Sequence, residues 1–169
     1  FETELKLNPL RATYIGDHRF DDRLGNPASV EHEAQTRANW ERALTAVEAI
    51  EPAQLAPPER LTREIFLHNA RSALEGLRFP ERLLALNQMG NLALELARFG
   101  SGEGPQPLKT VAEHDAWLKR AAGFPAWADS AIAALREGQA KGVTQPKVAM
   151  ERVLVQLDEL ASAKLDLLD

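Results

Sequence analysis

Residues 117–160 read WLKRAAGFPAWADSAIAALREGQAKGVTQPKVAMERVLVQLDEL, and their pattern indicates the fold class. Apolar residues recur in it every three or four positions, which is the spacing along one face of an α-helix. The sequence Gly123-Phe124-Pro125 predicts a bend or break, after which a second helix ends at Gly138 or Gly142. A third helix begins at Pro146. The stretch therefore predicts consecutive helices.

The last of these helices carries an apolar stripe that continues to the final residues of the sequence. Neither a glycine cap nor a basic last turn closes this helix. We therefore expect the sequence to be a piece of a longer protein, in which another polypeptide covers the end of the stripe. The stripe consists of Met150, Val153, Leu154, Leu157, Leu160, Leu165 and Leu168.

Start signals of three further helices lie in the first half of the sequence. Asn8-Pro9 and Asn26-Pro27 each combine an N-cap residue with a proline of the first turn. The helix that follows Asn26-Pro27 is expected to end at Glu51-Pro52, with an apolar stripe along it. Pro57-Pro58 starts the next helix. The stripe consists of Trp40, Leu44, Val47 and Ile50.

Another helix is predicted to end at about Phe99, and its two sides differ in polarity. Its apolar side contains Met89, Leu92, Ala93 and Leu96. Its polar side contains Gln88, Asn91, Glu95 and Arg98, a stripe that could serve as a docking surface.

A capping box fixes the start of the helix that leads into residues 117–160. Thr110 and Glu113 match the pattern T-x-x-E, in which each side chain accepts a hydrogen bond from the other residue's backbone N–H. A helix should therefore begin at Val111. The preceding segment GSGEGPQP, residues 100–107, is rich in glycine and proline and reads as a flexible surface loop. A domain boundary there is the less favoured alternative.

Together these patterns predict an all-α fold of about six amphipathic helices packed as an irregular bundle. Residues 1–169 are expected to form a single helical unit. The 20 basic and 25 acidic residues are interspersed, so no basic stripe exists and nucleic acid is not an expected partner. No window approaches the ~18 uninterrupted apolar residues of a membrane span. The absence of cysteine excludes a thiol nucleophile and a thiolate metal site.

Motifs of catalysis are incomplete in this sequence. The zinc-peptidase signature H-E-x-x-H requires two histidines one helical turn apart. The segment His32-Glu33-Ala34-Gln35-Thr36 has threonine at the second position, and the other histidines have no such partner. G-x-S-x-G, G-x-G-x-x-G and P-loop motifs are absent. We therefore predict no catalytic residue, no metal ligand and no cofactor for this chain alone.

The segment GDHRFDDRLG, residues 16–25, holds six ionisable side chains around one phenylalanine. One interpretation is functional: the aspartates hold an arginine or a substrate's amino group, His18 donates a hydrogen bond, and Phe20 anchors the loop by burial. The other is structural: the aspartates accept backbone N–H bonds and the arginines pair locally. Both remain open here. The candidate residues are Asp17, His18, Arg19, Asp21, Asp22 and Arg23.

Several segments, read in order, carry a family resemblance that covers nearly the whole chain. They are NPLRATYIGDHRFDDRLG, FPERLLALNQMG and residues 117–160. In this order they resemble the N-terminal part of the bacterial family called domain of unknown function 885. The matching patterns are G-D-x-R-[FY]-D-D-R-L, W-L-x-R-x-x-x-F-P-x-[WY], R-E-G-x-x-x-G-x-x-x-P and a Q-L-D helix. The segments also contain Asn87, Gln88, Arg136 and Glu137, which join the loop residues as candidate substrate-cleft or structural residues.

The resemblance implies a mostly helical protein related to zinc peptidases, whose metal-binding half lies C-terminal to this chain. Zinc is then a cofactor of the parent protein, and the partners of this chain are that missing half and a peptide substrate. The resemblance slightly favours the periplasm or cell envelope over the cytoplasm. Two hypotheses follow: a non-catalytic helical part of a zinc-dependent peptidase, or a self-sufficient helical binding module without enzymatic activity.

Overall fold

A computed structural model of the chain describes residues 1–162, and in them the predicted all-α fold is confirmed. Short 3-10 turns at His18–Phe20, Pro52–Gln54 and Glu81–Leu84 connect the helices. The predicted stripe members Leu165 and Leu168 lie outside the described residues. The helices are α1 (Glu2–Leu7), α2 (Pro9–Tyr14), α3 (Val30–Glu48), α4 (Pro57–Gly76), α5 (Leu92–Gly100), α6 (Val111–Ala121), α7 (Phe124–Lys141) and α8 (Lys147–Ser162).

Most helix boundaries follow the local signals in the sequence. Thr110 Oγ1 accepts a hydrogen bond from the Glu113 N–H at 3.3 Å, and Glu113 Oε2 accepts one from the Thr110 N–H at 2.8 Å. The capping box therefore starts α6 where it was predicted. The chain breaks between α6 and α7 around Gly123, and Gly142 ends α7 with φ +70°. Only glycine adopts this left-handed conformation without a steric penalty.

The predicted start of α3 at Asn26-Pro27 is wrong. The helix begins three residues later, where Ser29 Oγ accepts a hydrogen bond from the His32 N–H at 3.1 Å. Asn26 does not cap the helix; its side-chain amide instead donates to Ser130 Oγ on α7 at 2.9 Å. A long-range contact therefore uses the residue that local sequence reasoning assigned to the cap.

The start of α5 also differs from the prediction. The helix begins at Leu92, and Met89 lies before it with 88% of its surface exposed. Asn91 is only 4% exposed, and its Oδ1 caps the helix by accepting from the Leu94 N–H at 3.1 Å. The predicted polar stripe is therefore not one helix surface: Gln88 precedes the helix and Asn91 is a buried cap.

Helices α3 and α4 pack side by side as a helical hairpin. The rings of Trp40 and Phe66 lie 6.3 Å apart between them. The predicted stripe of α3 is only half-buried, and Ile50 lies beyond the end of the helix. The main hydrophobic core lies elsewhere, where residues from the loop after α2, from α5 and from α7 meet. That core consists of Leu24, Ala28, Leu96, Trp127 and Ala131.

The segment at residues 100–107 is more closely packed than a flexible surface loop. Gln106 is 2% exposed. A Cβ added to Gly100 would lie 2.4 Å from the Trp117 ring, and one added to Gly104 would lie 2.4 Å from the Arg98 carbonyl oxygen. Glycine is therefore needed at these positions because neighbouring groups occupy the space of a side chain. The prediction of a surface loop is wrong for Gln106.

Substitution of Gly104 tests this packing. We expect Gly104→Ala to lower the free energy of unfolding by about 1–3 kcal/mol, because a backbone carbonyl must move to admit the methyl group. Gly90→Ala is the matched control, since a Cβ there meets no heavy atom within 4 Å. Urea denaturation measures both variants. Equal free energies of unfolding of the two variants would contradict close packing of residues 100–107.

Candidate functional site

The loop at residues 16–25 has a backbone that two glycines define. Gly16 and Gly25 have φ values of +83° and +78°, so each turns the chain in a conformation that favours glycine. Between them, residues His18–Phe20 form a single 3-10 turn. The Asp17 side chain caps this turn by accepting a hydrogen bond from the Arg19 N–H at 3.2 Å. The loop is therefore built by the turn chemistry that its sequence predicts.

The outer layer of the loop is a set of exposed ion pairs. Arg19 donates to Asp17 Oδ2 at 2.6 Å and to Glu2 Oε1 at 2.8 Å. The hydrogen bond from Arg19 lowers the pKa of both carboxyl groups below their ordinary values. Arg23 lies 3.5 Å from Asp22. The predicted pairing of loop arginines with loop aspartates is therefore present, in solvent where such pairs add little stability.

Phe20 separates this outer layer from the interior. It is 6% exposed and packs with Leu5 and Ala12, as burial of the loop's phenylalanine was predicted. The guanidinium groups of Arg19 and Arg23 lie 5.3 Å and 5.6 Å from its ring centroid. Both distances fit cation–π contacts. The two arginines therefore cover the ring from the solvent side.

Beneath the loop lies Arg120 of α6, whose side chain is fully buried. Its Nε donates to the Arg23 carbonyl oxygen at 2.8 Å. One terminal nitrogen donates to Gln106 Oε1 at 2.6 Å, and the other donates to Thr13 Oγ1 at 2.8 Å and to the Phe20 carbonyl oxygen at 2.9 Å. Burial lowers the pKa of Arg120. The arginine thus joins α2, the loop, residues 100–107 and α6.

Asp21 supplies the carboxylate of this network and is 6% exposed. Its Oδ1 accepts from the Thr13 hydroxyl at 2.5 Å and lies 3.4 Å from Arg120. Its Oδ2 lies 2.9 Å from His18 Nδ1. The carbonyl oxygen of Asp21 accepts from Gln106 Nε2 at 3.1 Å. Both carboxylate oxygens are therefore engaged by protein groups, an arrangement that favours the structural interpretation for this residue.

The chain, including the charged loop, matches a known protein family. The sequence model of a family described as "Bacterial protein of unknown function (DUF885)" matches residues 9–168. The chain belongs to the DUF885 family. The match takes in the loop, Gln106 and Arg120. No curated protein and no solved structure matches the chain.

In this DUF885 chain, the candidates Asn87 and Gln88 shape a turn before α5. Asn87 Oδ1 accepts hydrogen bonds from the N–H groups of Met89 and Gly90 at 2.9 Å and 3.0 Å. The carbonyl oxygen of Gln88 accepts from Gln156 Nε2 of α8 at 3.1 Å. Within residues 1–162 neither residue makes a hydrogen bond to the charged loop.

The candidates Arg136 and Glu137 lie on α7. Of the two, only Glu137 forms an ion pair with another described residue. Glu137 binds Arg82 Nη2 and Lys141 Nζ, each at 2.7 Å. These two cations lower the pKa of the Glu137 carboxyl to about 2. Arg136 is exposed. The predicted candidates therefore occupy separate places and do not converge on the loop.

No metal centre can be assigned in the part of the chain that the structure describes. Residues 1–162 hold no group of three or more His, Cys, Asp or Glu side chains that could bind a metal ion. No residue here is therefore named as a zinc ligand. None of the helices in the same residues is long and apolar enough to cross a membrane.

Sequence reasoning missed the interior half of the site. Arg120, Thr13 and Gln106 were not candidates, although Arg120 is the arginine of the W-L-x-R pattern. One signal was available: Arg120 follows Ala116 and Trp117 at helical spacing and so lies on the inward side of α6. A charged residue at a position where the helical pattern requires burial indicates a buried polar network.

Replacing Asp21 measures the contribution of this network. We expect Asp21→Ala to lower the free energy of unfolding by about 3 kcal/mol, because the buried Arg120 guanidinium loses its carboxylate partner. The control is Asp22→Ala, which removes a neighbouring carboxylate that is exposed and should cost less than about 0.5 kcal/mol. Thermal and urea unfolding of the two variants provide the comparison. If both variants unfold like the parent, the network does not hold the loop.

Glu137 predicts a pH dependence whose direction follows from its lowered pKa. The ordinary carboxyl pKa of 4.5 falls to about 2 in the folded chain, so ionised Glu137 stabilises the fold above pH 4.5. That stabilisation is lost as the pH falls toward about 2. We expect Glu137→Gln to be less stable than the parent at neutral pH and equally stable near pH 2.

Urea midpoints measured between pH 7 and pH 2 provide the test. The control is Glu41→Gln, which changes an exposed glutamate of α3 that has no ion pair within residues 1–162. A constant difference between Glu137→Gln and the parent over this pH range would contradict the ion-pair assignment.

Proposed function

We propose that this chain forms the non-catalytic helical part of a zinc-dependent peptidase-like enzyme, in which it provides scaffold and one wall of the substrate cleft. Zinc and a peptide substrate enter this proposal through the family resemblance of the sequence motifs. The partner of the chain is the C-terminal part of the same protein. The membership in DUF885 is compatible with the proposal and does not itself assign an activity.

The main support for the proposal is the exposure of apolar side chains on α8. Ala149 and Val153 of this helix are buried, whereas Val148, Leu154 and Val155 are more than half exposed. Val148 and Val155 lie two helical turns apart on the side opposite the buried residues. A helix with apolar residues on more than one side is typical of a helix that is covered on more than one side.

Burial of the exposed apolar side chains of α8 would contribute appreciably to binding of a further polypeptide. Burial of one valine or leucine side chain is worth about 1.5–3 kcal/mol. Residues of α8 that are exposed in the isolated chain would therefore stabilise contact with a further polypeptide. This supports a helical part that is completed by another part of the same protein.

The network around Arg120 supports a scaffold role. A buried guanidinium with hydrogen bonds to three separate segments holds those segments in one arrangement. A cleft wall requires such a fixed arrangement, since substrate positioning depends on residues that do not move.

A self-sufficient binding module is the second candidate function. The outer side chains of the charged loop favour it, because His18, Asp22 and Arg23 are exposed on a backbone that is fixed from below. In this alternative the loop contacts a partner and the protein has no enzymatic activity.

The reading frame that encodes this chain distinguishes the two candidates. We expect it to encode an H-E-x-x-H motif after residue 169, and the complete protein to hydrolyse peptides only when loaded with zinc. The chain of 169 residues alone should be inactive. A complete reading frame without the motif, or a zinc-loaded protein that leaves a peptide library uncut, would favour the binding module.

A pair of matched variants tests the observation on α8. We expect Val155→Gln to lower the free energy of unfolding of the complete protein by about 1–2 kcal/mol, because it places a polar group in a covered apolar surface. Arg152→Gln introduces the same side chain at an exposed neighbour in α8 and is the control. In the isolated chain both should be nearly neutral. Equal effects of the two variants in the complete protein would contradict the proposed coverage of α8.

A further inference from the structure

A second concave site lies between the first turns of α3 and the end of α4, away from the charged loop. We call it the α3–α4 pocket. Pro27 and Gly76 contribute to its rim, and Leu77 adds apolar surface. The side chains that could bind a ligand there are His32, Glu33, Thr36, Phe79, Glu81 and Arg82.

Two polar groups of the α3–α4 pocket have no protein partner within residues 1–162. The hydroxyl oxygen of Thr36 is buried and forms no hydrogen bond. The ring nitrogens of His32 also form none, although the ring is half-buried. Burial lowers the pKa of His32 and so favours the neutral imidazole, which can accept a hydrogen bond. Buried polar groups are normally paired, so the unpaired Thr36 hydroxyl indicates a missing partner in this pocket.

The charged side chains that line the α3–α4 pocket indicate whether the missing ligand is a cation or an anion. Arg82 is mostly buried, and its guanidinium lies 3.3 Å from Glu33 and 2.7 Å from Glu137. Glu81 has no ion pair in the described part of the chain. The pocket lining therefore contains the two carboxylates of Glu33 and Glu81 against one guanidinium that is already paired. The lining of the pocket therefore carries one net negative charge. Its groups that have no partner are mainly hydrogen-bond acceptors.

The apolar part of the pocket matches an alkyl chain. Phe79 is 63% exposed and lies beside Leu77. An exposed aromatic face next to carboxylates suits a ligand with an apolar stem and a cationic end, because both dispersion and cation–π attraction are available.

We propose that the α3–α4 pocket binds an organic cation of the size of a lysine or arginine side chain, namely an alkylammonium or guanidinium group. The cation lies between Glu81 and the Thr36 hydroxyl, and its stem contacts Phe79. It belongs either to a side chain of a polypeptide or to a free amine. The proposal does not depend on the peptidase-like function proposed above.

Titration of the complete chain with small probes, followed by NMR of isotope-labelled protein, tests the proposal. The probes are N-acetyl-lysine-methylamide, N-acetyl-arginine-methylamide, n-butylamine and the uncharged N-acetyl-norleucine-methylamide. We expect saturable shifts of His32, Thr36 and Phe79 signals with the cationic probes, at dissociation constants on the order of 1–10 mM. The norleucine derivative should give none. Tighter binding of the amino-acid derivatives than of n-butylamine identifies a polypeptide side chain as the source, and equal binding identifies a free amine.

Variants separate this site from general electrostatic attraction. We expect Glu81→Gln to weaken binding of the lysine derivative about two- to fivefold, the range for an exposed ion pair. Thr36→Val keeps the shape of the side chain and should also weaken binding. Glu41→Gln changes the net charge equally outside the pocket and is the control. Absence of saturable shifts in the parent, equal shifts with the norleucine derivative, or equal weakening by Glu81→Gln and Glu41→Gln would overturn the proposal.

Discussion

The fold depends on how the buried guanidinium of Arg120 is satisfied. Removing such a charge from water costs several kcal/mol unless each donor finds an acceptor. The acceptors come from Thr13 in α2, from carbonyl groups of the charged loop and from Gln106 in the segment before α6. None of these segments could move away alone without leaving a buried donor unmatched. The arginine therefore couples three parts of the chain through one buried side chain, in addition to the direct bonds of Asp21 with Thr13 and Gln106.

This constraint divides the charged loop into two layers with different properties. The inner layer, with Phe20 and Asp21, is buried and fully engaged by protein groups. The outer layer, with Arg19 and Asp22, lies in solvent, where ion pairs exchange with water at little cost. The six ionisable side chains of one short motif thus belong to two environments, and any ligand of the loop would meet only the outer layer.

The features predicted from the sequence are those that depend on residues close together in the chain. The capping box of Thr110, the break before α7 and the end of α7 at Gly142 each require only a few neighbouring residues. The prediction was wrong at α3, where Ser29 is the cap and Asn26 instead donates to a residue 104 positions away. The bond between Arg120 and Thr13 spans 107 positions, and no local pattern identifies such a pair. The sequence therefore predicts helices well and the interior polar contacts poorly.

Charge and hydrogen-bond satisfaction indicate different places in this chain as ligand sites. The charged loop holds most of the candidate residues of the sequence, yet the buried groups of Asp21 and of its neighbours Thr13 and Arg120 are all paired. The α3–α4 pocket carries no complete motif, yet within residues 1–162 the Thr36 hydroxyl in it is buried without a partner. A buried polar group that lacks a partner costs about 1–3 kcal/mol, and a bound ligand can recover part of that energy. A bound ligand would therefore recover more energy at the α3–α4 pocket than at the charged loop, where the sequence pattern had placed the candidates.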